Sequence, residues 1–119
     1  MFQIDNQSRI AVYEQILQQA ERYILAGLLP PEEKLPSVRS LSVQLGVNPN
    51  TVQRAYTELE RAGLIVTAPG RGAFVSSGSR TLIAARRKEE CLQRLQTLVA
   101  ELIACGLSKD DIINEIQRQ

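Results

Sequence analysis

Residues 35–61 decide the fold of this chain, and they read LPSVRSLSVQLGVNPNTVQRAYTELER. Ser37 can cap a short helix that runs to Leu45, and Gly46 then stands where a helix end favours the left-handed conformation of glycine. Asn48 can cap a second helix, with Pro49 at its first position, where a missing N–H is harmless. The stretch therefore predicts two short helices joined by a tight turn.

The second helix has two unlike faces. Apolar side chains at i, i+3, i+4 and i+7 share a face that must pack on something: Val52, Ala55, Tyr56 and Leu59. We expect the opposite face to be polar and cationic, without a carboxylate; it carries Asn50, Gln53, Arg54, Thr57 and Arg61. A short helix, a turn and a helix with an exposed polar face predict a helix-turn-helix, whose second helix is sized for the DNA major groove.

Residues 62–77, AGLIVTAPGRGAFVSS, predict a two-stranded hairpin after this motif. The strands are expected at residues 64–66 and 73–75, with the turn at residues 69–72. Glycines in the turn would let backbone N–H groups approach a phosphate, and Arg71 could reach into a groove. An ordinary hairpin with one exposed arginine has the same sequence pattern. Following a helix-turn-helix, however, the hairpin is the expected wing of a winged helix-turn-helix.

Residues 35–65 together with PGRGAFV (residues 69–75) resemble the DNA-binding domain of the GntR family of bacterial transcription regulators. The preceding VYEQILQQAERYILAGLLPPEEKLPS (residues 12–37) resembles the family's first helix and its lead into the motif. The similarity covers residues 2–75. Because little chain follows the wing, the chain most resembles the short-tailed YtrA-like branch. The resemblance implies a homodimeric regulator, expected to be a repressor, with a palindromic double-stranded DNA operator as its partner.

Geometry and resemblance together nominate nine residues for contact with DNA. Arg39 matches an arginine in the first motif helix that contacts DNA in the family, and its guanidinium suits guanine or phosphate. Pro49 is a departure, because other branches often carry a basic residue there, so that contact cannot be carried over. The nominated residues are Arg39, Asn48, Asn50, Thr51, Gln53, Arg54, Gly70, Arg71 and Gly72.

Composition restricts the possible chemistry. The net charge is only +1, so attraction to DNA must come from local placement of charge. The chain has no histidine, which excludes a Ser-His-Asp arrangement and makes a metal site improbable. No nucleophile elbow or phosphate loop is present, so we expect neither an enzyme nor a bound cofactor. No stretch is apolar enough to span a membrane and no signal peptide is evident, which favours a cytoplasmic location.

The flanking segments predict the rest of the first domain, residues 1–76. A helix over residues 9–26 should cover the back of both motif helices with one apolar stripe. The segment Leu28, Leu29, Pro30 and Pro31 is expected to tuck into the core. Residues 76–79, SSGS, read as a flexible polar joint. The expected fold is mainly α with a small β-hairpin, an N-terminal winged helix-turn-helix followed by a two-helix dimerisation hairpin.

The hairpin, residues 77–119, should contain one long helix and a last helix capped by Ser108. It has more apolar surface than two helices can hide, so we predict a homodimer; folding back on the winged domain is the alternative. The expected dimerisation residues are Leu92, Leu95, Leu98, Val99, Leu102, Ile103, Ile112, Ile113 and Ile116. Cys91 and Cys105, separated by about 21 Å of helix rise, cannot pair within the chain and are expected to be reduced packing residues.

Two further interpretations stay open at this point. A winged helix can serve as a protein-interaction module that binds no DNA, and such a module would tolerate loss of Arg39 and Arg71. A small-molecule effector could also act, by altering the angle between winged domains through residues 76–79, although nothing in the sequence identifies such a molecule.

Overall fold

The computed structural model describes all residues, 1–119, as five helices and one β-hairpin. The elements in chain order are α1 (Val12–Leu25), α2 (Val38–Leu45), α3 (Pro49–Arg61), β1 (Ile65–Ala68), β2 (Gly72–Val75), α4 (Ser79–Ala104) and α5 (Lys109–Gln117). The two strands are antiparallel. This confirms the predicted class, mainly α with a small hairpin. The chain divides into two compact units, Met1–Ala84 and Ala85–Gln119.

The two motif helices begin and end where the sequence predicts. The Ser37 hydroxyl oxygen accepts the backbone N–H of Ser40 at 3.0 Å, and Gly46 closes α2 with a φ of 67°. At the start of α3 the Asn48 side-chain oxygen accepts the backbone N–H of Asn50 at 2.8 Å. Both caps satisfy donors that a helix start leaves without intrahelical partners.

The core of the first unit forms where α1 packs on α3. From α1 it takes Ile16, Ala20 and Ile24, and from α3 the four apolar residues that the periodicity placed on one face. α2 also packs on α3 and contributes Leu41. The expectation that α1 covers both motif helices is met chiefly at α3.

An unpredicted N-terminal segment lies along α1. Phe2 is buried and meets the ring of Tyr23 edge-on, with 5.6 Å between ring centres. Two buried glutamines of α1 pair with its backbone: Gln15 Oε1 accepts the N–H of Asp5 at 2.9 Å, and Gln19 Oε1 accepts that of Gln3 at 2.9 Å. The two side-chain amides form hydrogen bonds to the backbone that a neighbouring strand would otherwise form. Their polar groups are therefore satisfied although they are buried.

Residues 32–35 line the free edge of β2, which the sequence pattern did not indicate. Val75 donates its N–H to the Glu33 carbonyl, and Leu35 donates to the Ala73 carbonyl, both at 2.9 Å. Of the preceding apolar crossover only Leu29 is buried, whereas Leu28 is 59% exposed. The prediction that the whole crossover enters the core is therefore wrong.

Two of the four residues in the predicted joint, Ser76 and Ser79, are anchored to the first unit, whereas Ser77 and Gly78 are exposed. Ser76 donates its N–H to the Leu64 carbonyl at 2.9 Å, and the side chains of Ser79 and Ile83 are buried. The first turns of α4 therefore belong to the first unit, which extends past the predicted domain boundary at residue 76 to Ala84. The apolar Ile83 anchors this segment more strongly than a run of serines and glycine suggests.

In the second unit, a capping box starts α5. The Ser108 hydroxyl accepts the N–H of Asp111 at 3.1 Å, and the Asp111 carboxylate accepts the N–H of Ser108 at 2.9 Å. The backbone N–H and then the hydroxyl of Ser108 lower the pKa of Asp111. Cys91 and Cys105 are free and exposed, so the prediction that they are packing residues is wrong for the protomer. No helix is both long and apolar enough to cross a membrane.

Replacing Tyr56 by phenylalanine is expected to destabilise the first unit. The Tyr56 hydroxyl donates to the Pro36 carbonyl at 2.6 Å, linking α3 to the residue before the α2 cap, and burial raises the pKa of Tyr56 to about 12. We expect Tyr56→Phe to lower the free energy of unfolding by about 1–2 kcal/mol, because the carbonyl loses its partner. Denaturant titration followed by circular dichroism measures this.

The matched control is Tyr23→Phe, which removes a 2.6 Å hydrogen bond to the Met1 carbonyl at the surface and should cost less. Because the folded pKa of Tyr56 is raised, its hydroxyl stabilises the fold below pH 10 and this contribution is lost as pH rises to about 12. The Tyr56→Phe variant should therefore not show this part of the loss of folding stability at alkaline pH. If Tyr56→Phe and Tyr23→Phe lowered the free energy of unfolding equally at neutral pH, the structural role given to the Tyr56 hydroxyl would be contradicted.

Candidate nucleic-acid interface

Arg39 lies on the exposed side of α2, next to the Val38 that starts the helix. Its backbone carbonyl accepts the Ser42 hydroxyl at 2.8 Å, but its guanidinium has no hydrogen-bond or ion-pair partner in the protein. All five of its N–H groups are available to a ligand. The planar guanidinium can therefore meet a phosphate or a guanine edge with two parallel hydrogen bonds.

The start of α3 presents polar side chains of unequal accessibility. Asn48 and Asn50 are exposed, and Thr51 is half-buried. The Asn48 side-chain oxygen is committed to the cap, which leaves its NH₂ group for other partners. Asn50 has no side-chain partner in the protein, so its amide NH₂ group and its carbonyl oxygen are both available to a ligand.

Further along α3, Gln53 and Arg54 are exposed but engaged within the protein. The Gln53 side-chain NH₂ donates to the Thr57 hydroxyl at 3.2 Å, one turn along the helix. The guanidinium carbon of Arg54 lies over the ring of Tyr13 in α1, 3.8 Å from the ring centre. Arg54 is thus held at the α1 side of the helix, away from Gln53.

The expectation of a carboxylate-free outer face is wrong for the C-terminal half of α3. Glu60 lines a cleft of about 300 Å³ with Gln53 and Thr57, and the wing residues Thr67 and Gly72 close its other side. Glu58 pairs with Arg61 at 2.8 Å and neutralises that cation. Only the N-terminal half of the helix therefore offers a surface without negative charge.

The wing tip is a tight turn between two paired positions, Ala68 and Gly72. Arg71 donates its backbone N–H to the Ala68 carbonyl at 2.9 Å, and its side chain is exposed without a partner. Gly70 and Gly72 have φ of 75° and 112°, which L side chains rarely adopt. The predicted glycines are thus required by the turn itself.

Lys34 is a candidate interface residue that the sequence reasoning did not nominate. It pairs with Phe74 across the free edge of β2, and its side chain crosses Gly72. A Cβ atom at Gly72 would lie 3.1 Å from Lys34 Cε and 3.9 Å from Nζ. The exposed ammonium of Lys34 therefore adds positive charge beside the wing. The only sequence pattern that could have indicated this edge is the change from the polar Lys34 to the apolar Leu35 just before the motif.

In the second unit, the nine predicted dimerisation residues are mostly accessible in the protomer. Leu92, Leu95, Leu98, Ile103, Ile113 and Ile116 are 44–58% exposed. Val99 and Leu102 are half-buried, and Ile112 is buried. This unit therefore leaves a broad apolar surface in contact with water. Nowhere in the chain do three or more acidic or cysteine side chains gather to form a metal site.

Comparison with known proteins identifies the family. The family model described as bacterial regulatory proteins, gntR family, matches residues 12–75. The chain is also 38% identical to the HTH-type transcriptional repressor YtrA of Bacillus subtilis over 94% of its own length and 86% of that protein. The chain belongs to the GntR family. It is a transcription regulator with a DNA-binding helix-turn-helix, not an enzyme, and its similarity to YtrA confirms the predicted short-tailed branch.

Solved structures support the same assignment for the GntR fold. A transcriptional regulator from Oenococcus oeni superposes with a TM-score of 0.82 at 30% identity, covering 97% of this chain and 95% of that one. A structure of AraR(DBD) in complex with operator ORX1 matches with a TM-score of 0.56 at 28% identity, covering 61% and 90% of the two chains. Winged helix-turn-helix architecture is thereby confirmed.

Gly72→Ala is expected to disrupt the wing. The added methyl group would force an L residue into a φ of 112° and press on the Lys34 side chain, so we expect a loss of about 1–3 kcal/mol in the free energy of unfolding. Denaturant titration measures it. Gly78→Ala is the control, since its φ is ordinary and its Cβ would meet nothing within 4 Å. A loss no larger than that of Gly78→Ala would argue against this role for Gly72.

Proposed function

We propose that this GntR-family regulator is a repressor that binds a palindromic DNA operator as a homodimer. The observation that carries the proposal is the outward N-terminal half of α3, which exposes Asn50 and Gln53, together with two exposed arginines that have no protein partner, Arg39 of α2 and Arg71 of the wing. The relative named as a transcriptional repressor and the AraR(DBD) complex with an operator support it. Such a regulator would act in the cytoplasm.

The cations and the amides would have different tasks. Arg39, Lys34 and Arg71 would contact phosphates and thereby fix the position of the protein on the duplex. Asn50 and Gln53 would approach base edges, where a side-chain amide can recognise adenine through two hydrogen bonds. Backbone N–H groups at the Asn48 cap would add to phosphate binding.

Glu60 would limit how much of α3 meets the DNA. Its carboxylate faces the cleft between α3 and the wing, where it would repel a phosphate that came close. Deep insertion is therefore favoured only for the N-terminal half of the helix. That geometry is the usual one for a recognition helix.

A dimer would supply the affinity that one copy lacks. A single recognition helix reads few base pairs, and a net charge of +1 gives the chain little general attraction to DNA. Two copies related by a two-fold axis would double the contacts on a palindrome. Joining the apolar surfaces of two second units would also remove that surface from water. A small-molecule effector is compatible with this assembly, although the segment 76–79 is anchored to the first unit at both ends, by the Ser76 N–H and by the buried Ser79.

Selection of bound fragments from genomic DNA tests the DNA proposal. We expect enrichment of a two-fold symmetric motif, and Arg39→Ala and Arg71→Ala should each weaken binding to that motif about 10-fold or more, because each removes a charge-assisted contact. Titration of a labelled duplex measures the dissociation constants. Arg118→Ala, which removes a cation paired with Glu115 in the second unit, is the control and should bind normally.

The competing proposal is a winged helix that binds only protein. It predicts no enrichment over random fragments and no effect of the two arginine substitutions on partner binding. Either result, obtained with folded protein, would count against the DNA proposal.

Leu95→Glu tests the homodimer. Leu95 is 46% exposed in the protomer, and a carboxylate in an apolar dimer interface would be costly. We expect sedimentation at micromolar concentration to give twice the chain mass of 13.2 kDa for the unmodified protein and the single mass for Leu95→Glu. Gln93→Glu adds the same charge to the polar side of α4 and should stay dimeric. A strictly monomeric unmodified protein would refute the assembly.

A further inference from the structure

Tyr13 packs against the core of the first unit, and its ring also contacts the Arg54 side chain at the surface. Tyr13 is half-buried near the start of α1, and Arg54 is exposed on α3. The guanidinium carbon lies 3.8 Å from the ring centre, which is van der Waals contact and well within the range of a cation–π interaction. The Tyr13 hydroxyl donates to the Glu14 carboxylate at 3.1 Å.

The stacked arginine keeps its capacity to donate hydrogen bonds. Contact with a ring face occupies none of the five guanidinium N–H groups, and none of them is bonded to another protein group. An exposed arginine otherwise samples many rotamers, and fixing one of them on binding has an entropic cost. The ring of Tyr13 restricts Arg54 before any ligand arrives.

We propose that Tyr13 is a positioning residue of the DNA interface, which holds the Arg54 guanidinium ready to bind one phosphate beside the groove that α3 enters. The inference rests on the proposed DNA-binding function. Arg54 stands at the α1 edge of the polar face, whereas Gln53 lines the cleft toward the wing. The two neighbours therefore serve different partners: Gln53 approaches the bases and Arg54 the sugar–phosphate backbone. Tyr13 itself touches no DNA.

Affinity and its salt dependence separate positioning from contact. The probe is a duplex recovered by the genomic selection, titrated at several salt concentrations. Tyr13→Leu should raise the dissociation constant about 3- to 10-fold, because the arginine must then be ordered on binding. The slope of log affinity against log salt should not change, since Arg54 still neutralises its phosphate. Arg54→Gln should weaken binding and reduce that slope by about 0.9.

Conservative and double variants exclude a merely structural effect. Tyr13→Phe keeps the ring and should bind within about twofold of the unmodified protein, since only an exposed hydrogen bond is lost. In the Arg54→Gln background, Tyr13→Leu should cause no further weakening, because nothing remains to be positioned. Thermal unfolding monitors each variant, and titrations are run below the lowest unfolding temperature.

The possible outcomes separate failure of the positioning role from failure of the proposed function. If Tyr13→Leu binds as well as the unmodified protein, binds more tightly, or weakens binding equally with and without Arg54, the positioning role is refuted while the proposed function stands. An unchanged salt slope in Arg54→Gln would refute the phosphate contact. If the unmodified protein itself enriches no DNA, the proposed function fails and this inference fails with it.

Discussion

The apolar contact between α1 and α3 is the constraint on which the rest of the structure depends. Val52, Ala55 and Leu59 are almost fully buried, which fixes the rotation of α3 about its own axis. Side chains on the other side of the helix must then face outward. Asn50 and Gln53 are exposed because their neighbours pack on α1, and Tyr56 ties the helix to Pro36 as well. Burial on one face thus determines what the other face can bind.

Charge is the second constraint, because the chain has so little of it in excess. Glu58 neutralises Arg61, and Glu60 places a carboxylate in the cleft beside the wing. The cations without an acidic partner at the candidate interface come from four separate places: Lys34 on the edge of the sheet, Arg39 on α2, Arg54 on α3 and Arg71 on the wing. In the proposed complex, a few local charges would give weak, salt-sensitive attraction to DNA, and specificity would come mainly from shape and from hydrogen bonds.

Local signals in the sequence were sufficient for the helix-turn-helix and the wing. Ser37, Gly46 and Asn48 form hydrogen bonds to residues within four positions along the chain. Both partners of each bond therefore lie in one short stretch of sequence and can be recognised there. Long-range contacts were harder to foresee. Lys34 meets Gly72, and Gln19 meets Gln3, only because the chain folds back on itself. The carboxylate of Glu60 was overlooked because its position on the helix face becomes informative only once the wing closes the cleft beside it.

The stack of Arg54 on Tyr13 links the two constraints. The same α1–α3 packing that turns the polar face outward also brings an aromatic ring to the edge of that face. A cation that is already ordered makes a contact at a lower entropic cost than a mobile one, which matters in a chain whose net charge is only +1. If Tyr13 positions Arg54 as proposed, the packing of α1 on α3 shapes the interface as well as the core, although α1 contributes no residue to the polar face itself.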